Sequence, residues 1–234
     1  MIPLHDDNPT ERTPVVTMTI IAVCVLVFFY QASLPPRTGE AFVFQYGAIP
    51  SVVFGQAALP EEVAAVPAVL TLVTSMFLHG GWLHLIGNML YLWIFGNNIE
   101  DAMGHARFIL FYLLCGILAA LSHAATEPSS HIPMVGASGA ISAVLGAYLL
   151  LFPHAHVLVL LPGIGITRVA AGFVLMMWFI TQLISGGMTM GTRGGGVAFF
   201  AHIGGFVAGM ALIALFKRPE VRFFSPARPG RWDD

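Results

Sequence analysis

Three short stretches of this sequence carry polar side chains whose types together suit acyl transfer. One contains Ser138, a second contains His202, and a third contains His84 and Asn88. A serine hydroxyl is a weak nucleophile until a neighbouring base takes its proton, and His202 is the candidate base. The tetrahedral intermediate then needs hydrogen-bond donors for its oxyanion. Asn88 offers an amide NH₂, His84 lies one turn away on the same face, and the backbone N–H of Ser138 adds a third donor.

Glycines accompany both members of this candidate dyad. Gly136 and Gly139 flank Ser138 and leave room for a group to approach it. Gly205 and Gly209 follow His202 at three and seven residues, so one face of that helix is clear for close packing. Close packing of membrane helices explains each glycine taken alone.

Each polar residue also has a structural explanation. Asn88 could bond a neighbouring helix. His84 and His79 could lie at the membrane interface beside Trp82, and for His79 that is our prediction. Ser142 is predicted to pack. His202, in the middle of an apolar helix, is a functional hypothesis by default.

The composition is that of an integral membrane protein. Hydrophobic residues make up 57% of the 234 residues and charged residues 9%, against about 25% charged in soluble domains. A net charge of −2 provides no basic stripe for nucleic acid. Cys24 and Cys115 fall in apolar runs and are predicted to be small buried hydrophobes. No metal or cofactor is predicted.

The apolar pattern predicts an all-α, polytopic bundle of six transmembrane helices. A seventh apolar run, 63–78, is interrupted by Pro67 and is left out of the count. The connector before it is expected to be a loop with short interfacial helices, and 157–166 is too short to cross. We predict an N-terminal tail at 1–14, a membrane domain at 15–216 and a C-terminal tail at 217–234. The predicted spans are 15–34, 82–99, 106–123, 134–152, 169–185 and 197–216.

Basic residues support this count, because they concentrate in cytoplasmic loops. Six spans and a cytoplasmic N-terminus leave only Arg37 and Arg193 outside. The residues then inside are Arg12, Arg107, Arg168, Lys217, Arg218, Arg222, Arg228 and Arg231. Both termini are therefore predicted to be cytoplasmic. In this topology the second, fourth and sixth spans bring His84, Asn88, Ser138 and His202 to one depth, about 5 to 10 Å below the outer edge.

These residues and the glycines beside them, taken in this order and spacing, resemble the motifs of the rhomboid intramembrane serine proteases. The stretch 136–139, Gly-Ala-Ser-Gly, is similar to the nucleophile motif of that family. The stretch 201–205, Ala-His-Ile-Gly-Gly, is similar to the base motif, and His84 with Asn88 to the His-x-x-x-Asn motif. The resemblance runs from about residue 70 to residue 216.

The resemblance implies a serine endopeptidase of the bacterial inner membrane that cuts transmembrane segments, of single-span proteins above all, near the outer face. Ser138 would be the nucleophile, His202 the base without an acidic partner, and Asn88 with His84 the oxyanion donors. Glu100 would be structural. Two departures stand out: the first loop has no Trp-Arg pair, and Ser142 occupies a position where an aromatic residue commonly stacks on the histidine.

Other classes of protein fit the sequence less well. Zinc proteases need a motif such as His-Glu-x-x-His, and aspartyl proteases need two aspartates within spans; neither is present. A transporter or channel is favoured by discontinuous helices and inverted repeats, of which Pro162-Gly163 is the one hint. A catalytically dead, client-binding member of the family is the remaining alternative, although such a protein is expected to lack Ser138 or His202.

Overall fold

The computed structural model describes residues 1–189 and 198–226, most of which form helices. Apolar helices build a bundle, and three short helices lie in the connector after the first of them. The long helices are α1 (Val15–Ser33), α5 (Trp82–Met103), α6 (His105–Ala124), α7 (Ser138–Leu151), α8 (Ala171–Thr189) and α9 (Phe199–Phe216), and the short ones are α2 (Pro36–Tyr46), α3 (Pro50–Val53) and α4 (Ala68–Thr74).

Among the described residues, four helices are long and apolar enough to cross a membrane: α1, α6, α8 and α9. A fifth span results if α4, the 3₁₀ turn after it and α5 count together, although they bend by 83° at their break. Helix α7 has 14 residues, about 21 Å against a hydrocarbon layer of about 30 Å. The chain is thus an integral membrane protein, and the count of six spans remains a prediction. The predicted start of the sixth span, residue 197, lies outside the described residues.

Helix α7 forms the centre of the bundle. Every residue of α7 is buried except Ser138, Leu149 and Leu150, and α5, α6, α8 and α9 all contact it. Helix α9 approaches it most closely, because a Cβ on Gly205 would overlap the carbonyl oxygen of Gly139 and one on Gly209 would overlap that of Ala143. The two helices therefore pack backbone against backbone, as small residues permit in membranes.

The prediction of an all-α fold is wrong in one respect, because the chain forms a three-stranded antiparallel sheet. Strand β1 (Ile2–Asp6) pairs with β2 (His156–Leu161), which pairs with β3 (Gly165–Ala170). We predicted a simple connector at 157–166, where Val157 and Val159 are in fact buried on one face of the hairpin. Strand β1 lies some 150 residues before the hairpin of β2 and β3 in the sequence, and no local sequence pattern predicts that it pairs with β2.

The sheet ties the start of the chain to helix α7. Asp6, at the end of β1, is buried, and the hydroxyl of Tyr148 donates to its Oδ2 at 2.7 Å. Burial raises the pKa of the Asp6 carboxyl to about 7, and the hydrogen bond from Tyr148 opposes that rise in part. Residues 1–14, predicted as a tail, thus include an ordered strand.

The predicted C-terminal tail, 217–234, is described only as far as residue 226. The backbone N–H of Arg218 donates to the carbonyl of Ala102, and those of Phe224 and Ser225 donate to Leu150 and Leu151. This part of the tail therefore packs back on the ends of α5 and α7.

Glu100 joins the C-terminal end of α5 to the start of α1. Its carboxylate is buried and accepts hydrogen bonds from the backbone N–H groups of Val16 (2.8 Å) and Thr17 (2.7 Å) and from the hydroxyl of Thr17 (2.7 Å). The ring of His105 lies 2.6 Å from the same carboxylate. A carboxylate at a helix N-terminus satisfies free N–H groups and interacts favourably with the helix dipole. These contacts agree with the structural role expected for Glu100, because its carboxylate binds the N-terminus of α1 to α5.

Candidate active site

The structure brings Ser138 and His202 into direct contact. Ser138 is the first residue of α7, and His202 lies in the first turn of α9. The distance between Ser138 Oγ and His202 Nε2 is 2.8 Å. Both side chains are largely buried, with His202 9% exposed. This is the spacing of a hydroxyl that donates its proton to an imidazole, the pairing that activates a serine.

The segment before α7 places its first residue. Gly136 has a φ of 124°, a conformation that is open to glycine and strained for other residues. Its N–H donates to the carbonyl of Ser75 at 2.9 Å, and Met134 pairs with Ala48 in both directions. The chain thus turns sharply into α7 against the connector, so that the N–H of Ser138 has no acceptor within the helix and is free for a ligand.

The two predicted oxyanion donors lie beside Gly136. A Cβ on Gly136 would stand 2.7 Å from His84 Nε2 and 3.6 Å from Asn88 Nδ2. The Nδ1 atom of His84 accepts from the N–H of Gly80 at 3.3 Å, which leaves the proton on Nε2. Asn88 is 8% exposed, and none of the described residues accepts from its Nδ2. A buried donor without a partner is costly and calls for an explanation.

His79 is not the interfacial residue that we predicted. Its side chain is fully buried; its ring packs edge-on against that of His84 at 5.2 Å, and its carbonyl accepts from Gln31 Nε2 at 2.9 Å. The chain bends by 83° between α4 and α5, and this bend brings His79 into contact with α1 and with the ring of His84, an arrangement that a sequence pattern does not show.

The ring of His202 is surrounded by Gln182 and Trp178 of α8 and by Phe199 of α9, and sequence reasoning missed these contacts. Nδ1 of His202 lies 2.8 Å from Oε1 of Gln182. The rings of Trp178 and Phe199 lie 5.8 Å and 6.4 Å from that of His202. The available signal was a glutamine in an otherwise apolar span, since such residues face the bundle interior. Ser142 packs as predicted, and its hydroxyl donates to the carbonyl of Ser138 at 2.6 Å.

The other potentially reactive groups stand apart from this site. Cys24 and Cys115 are free and fully buried, as predicted. Within residues 1–189 and 198–226, no three His, Cys, Asp or Glu side chains lie together in a way that could hold a metal ion.

Residues 67–219 match the family model described as the Rhomboid domain, and the chain belongs to the rhomboid family. Members of this family are generally intramembrane serine proteases, and some are inactive pseudoproteases. The chain is 30% identical over 151 residues to the Putative rhomboid protease YdcA of Bacillus subtilis, covering 64% of this chain and 69% of that protein.

Mitochondrial relatives are also similar. The chain is 32% identical over 180 residues to Presenilin-associated rhomboid-like protein A, mitochondrial, of Danio rerio, covering 69% of this chain and 44% of that one. It is 28% identical over 233 residues to Rhomboid protein 1, mitochondrial, of Saccharomyces cerevisiae, covering 88% of this chain and 65% of that protein. The chain thus spans less than half the length of the first of these relatives.

Proposed function

We propose that this protein is an intramembrane serine endopeptidase that cleaves transmembrane segments by a Ser138–His202 dyad. The observation that carries the proposal is the 2.8 Å contact between Ser138 Oγ and His202 Nε2, formed by two helices of a membrane bundle. A histidine buried in such a bundle is costly unless it is paired, and by default it marks a functional site. The family to which the chain belongs supports the same activity.

The geometry supports a two-step acyl transfer. As Ser138 Oγ attacks the carbonyl carbon of the scissile bond, its proton passes to His202 Nε2. The oxyanion accepts hydrogen bonds from Asn88 Nδ2, His84 Nε2 and the backbone N–H of Ser138. His202 then donates its proton to the leaving amine, and water, deprotonated by the same ring, hydrolyses the acyl-enzyme.

Two measurements on the purified protein test this proposal. We expect a fluorophosphonate probe to label the native protein on Ser138, because such probes react with activated serines, and not to label heat-denatured protein. In liposomes we expect cleavage of a single-span substrate into two products, identified by mass spectrometry. Binding of the substrate without labelling or cleavage would contradict the proposal and point to a client-binding member of the family.

The position of Ser138 predicts which substrates are cut. The peptide bonds of a continuous transmembrane helix are shielded, because each carbonyl is bonded within the helix. The substrate must therefore unwind near the outer face, and Gly or Pro just inside the span lowers that cost. We expect that replacing those Gly or Pro residues of the substrate with Leu slows cleavage at least about tenfold. This corresponds to a rise of about 1.4 kcal/mol in the activation free energy. Unchanged rates, or a cut at the cytoplasmic end, would contradict this prediction.

Asn88 is proposed to contribute to the oxyanion site, where its contact strengthens only as the negative charge forms. We expect Asn88→Ala to lower kcat about 10- to 1000-fold, nearer the smaller value because His84 and the Ser138 N–H remain as donors; loss of one oxyanion donor typically costs about 10²- to 10³-fold. The check is steady-state cleavage in detergent. A change confined to KM would assign Asn88 to substrate binding.

We also propose that the protein lies in a bacterial inner membrane with six spans and both termini in the cytoplasm. Basic residues at one end of the bundle support this orientation. Arg107 Nη1 donates to the carbonyl of Lys217, and Arg12 lies against Gly104, at the turn between α5 and α6. A reporter fused after residue 234 should read as internal and one near Arg37 as external; the opposite result would reject the orientation. Arg193, Arg228 and Arg231 lie outside the described residues.

A further inference from the structure

We propose that Gln182 is a positioning residue that fixes the protonation state and the orientation of His202. The inference rests on the proposed function, since it concerns how the base is prepared for its task. It assigns a third side chain to the Ser138–His202 pair, and that side chain is a neutral amide on α8.

The argument begins with the two nitrogens of the His202 ring. Nδ1 faces Gln182 Oε1 at 2.8 Å, and Nε2 faces Ser138 Oγ at 2.8 Å. A neutral imidazole carries one N–H, so one nitrogen donates and the other accepts. Because an amide oxygen can only accept, the proton must lie on Nδ1. Nε2 is then an acceptor, which is the state that can take a proton from Ser138.

The orientation of the Gln182 amide therefore decides the protonation state of the ring. If the amide were reversed, its NH₂ would donate to Nδ1, the ring proton would move to Nε2, and Ser138 would become the acceptor. A ring in that state cannot deprotonate the serine.

A second contact favours the productive orientation of the amide. Gln182 Nε2 lies 3.4 Å from the hydroxyl oxygen of Thr181. That hydroxyl donates its own proton to the carbonyl of Trp178 at 2.6 Å, so its oxygen is left to accept. With the NH₂ turned toward Thr181, Oε1 is turned toward His202.

The aromatic neighbours of His202 cannot select its protonation state. Trp178 and Phe199 pack around the ring of His202, which restricts its tilt, but an aromatic face does not distinguish one ring nitrogen from the other. A directional polar partner is needed for that. A neutral amide suits this position inside a membrane because it selects the tautomer of His202 without placing a charged side chain in the bundle, which would be costly there.

The first test compares three variants in the cleavage assay. Gln182→Leu removes the acceptor at similar size, and we expect kcat to fall about 10- to 100-fold with KM within about twofold. This is less than the roughly 10⁴-fold loss of kcat that follows when the aspartate of a Ser-His-Asp triad is replaced by a neutral asparagine. Gln182→Glu keeps an acceptor oxygen, so we expect kcat within about tenfold of wild type. Gln56→Leu, at an exposed position in the connector, is the matched control and should not change either constant.

The second test reads the tautomer directly and needs no activity. In ¹⁵N-histidine NMR, with the His202 signals identified by their loss in His202→Ala, we expect the wild-type ring to carry its proton on Nδ1 and the Gln182→Leu ring to lose that preference. A wild-type proton on Nε2, or a Leu variant with unchanged kcat and an unchanged tautomer, would overturn the proposal. A wild-type protein that holds the Nδ1 proton but cleaves nothing would reject the protease function and leave the Gln182 contact standing.

Discussion

Replacing Ser138 with alanine is expected to abolish cleavage, and so is replacing His202 with alanine. Each variant removes one half of the 2.8 Å contact that would activate the nucleophile. Residues of such a unit act together, and loss of either is expected to lower kcat by at least about 10⁴-fold, with the double variant no worse than the single ones. Cleavage of a reconstituted single-span substrate, followed to long times, measures the effect.

Two exposed residues provide matched controls for these variants. Ser33→Ala, at the end of α1, and His154→Ala, just before β2, make the same changes at exposed positions away from the site. We expect both to cleave at the wild-type rate, and all four variants to unfold at temperatures close to that of the wild type. Cleavage at the wild-type rate by Ser138→Ala or His202→Ala would show that the dyad is wrongly assigned.

Replacing Gly209 with alanine is expected to have the next largest effect, although Gly209 lies two turns from His202. A Cβ at this position would overlap the backbone of Ala143, and backbone cannot move aside as the end of a flexible side chain can. Helix α9 must then shift away from α7 and carry His202 with it. Overpacking of this kind costs about 1–3 kcal/mol, and a displacement of about 1 Å in a catalytic group can cost about 100-fold in rate. We therefore expect a lower unfolding temperature and a kcat at least about 100-fold lower.

Gly187 on α8 supplies the control for this prediction. A Cβ there would meet nothing within 4 Å, so Gly187→Ala should leave cleavage unchanged and unfolding unchanged or slightly raised. If Gly209→Ala cleaves as well as Gly187→Ala, the close packing of α7 and α9 does not set the position of His202.

Much of the site follows from local sequence, because its residues lie in helices whose ends the sequence marks. Helix α7 runs from Ser138 to Leu151, inside the predicted span 134–152, and the glycines of α9 meet α7 as their spacing suggested. His84 and Asn88 share one face by helical periodicity, and both reach the space beside Gly136. In each case a short-range rule was sufficient.

What the sequence could not supply are contacts between distant segments. The pairing of β1 with β2 and the packing of His79 against His84 depend on how remote parts of the chain meet. The contact between Gln182 and His202 depends on the rotation of α8 about its own axis, which an evenly apolar helix does not reveal. A polar residue in such a helix marks its inward face, but its partner emerges only when the neighbouring helices are in place.

The contacts of Glu100 show that the unit that folds is larger than the region of family similarity. The matched domain covers residues 67–219, whereas the donors to the Glu100 carboxylate, Val16 and Thr17, belong to α1. A chain cut down to the matched domain would leave the buried carboxylate with the His105 ring but without these donors, and hydrogen-bonding groups left unsatisfied beside a buried charge are strongly destabilising. Helix α1 therefore completes the surroundings of the Glu100 carboxylate on α5, and we expect any minimal version of this protein to begin upstream of Val15.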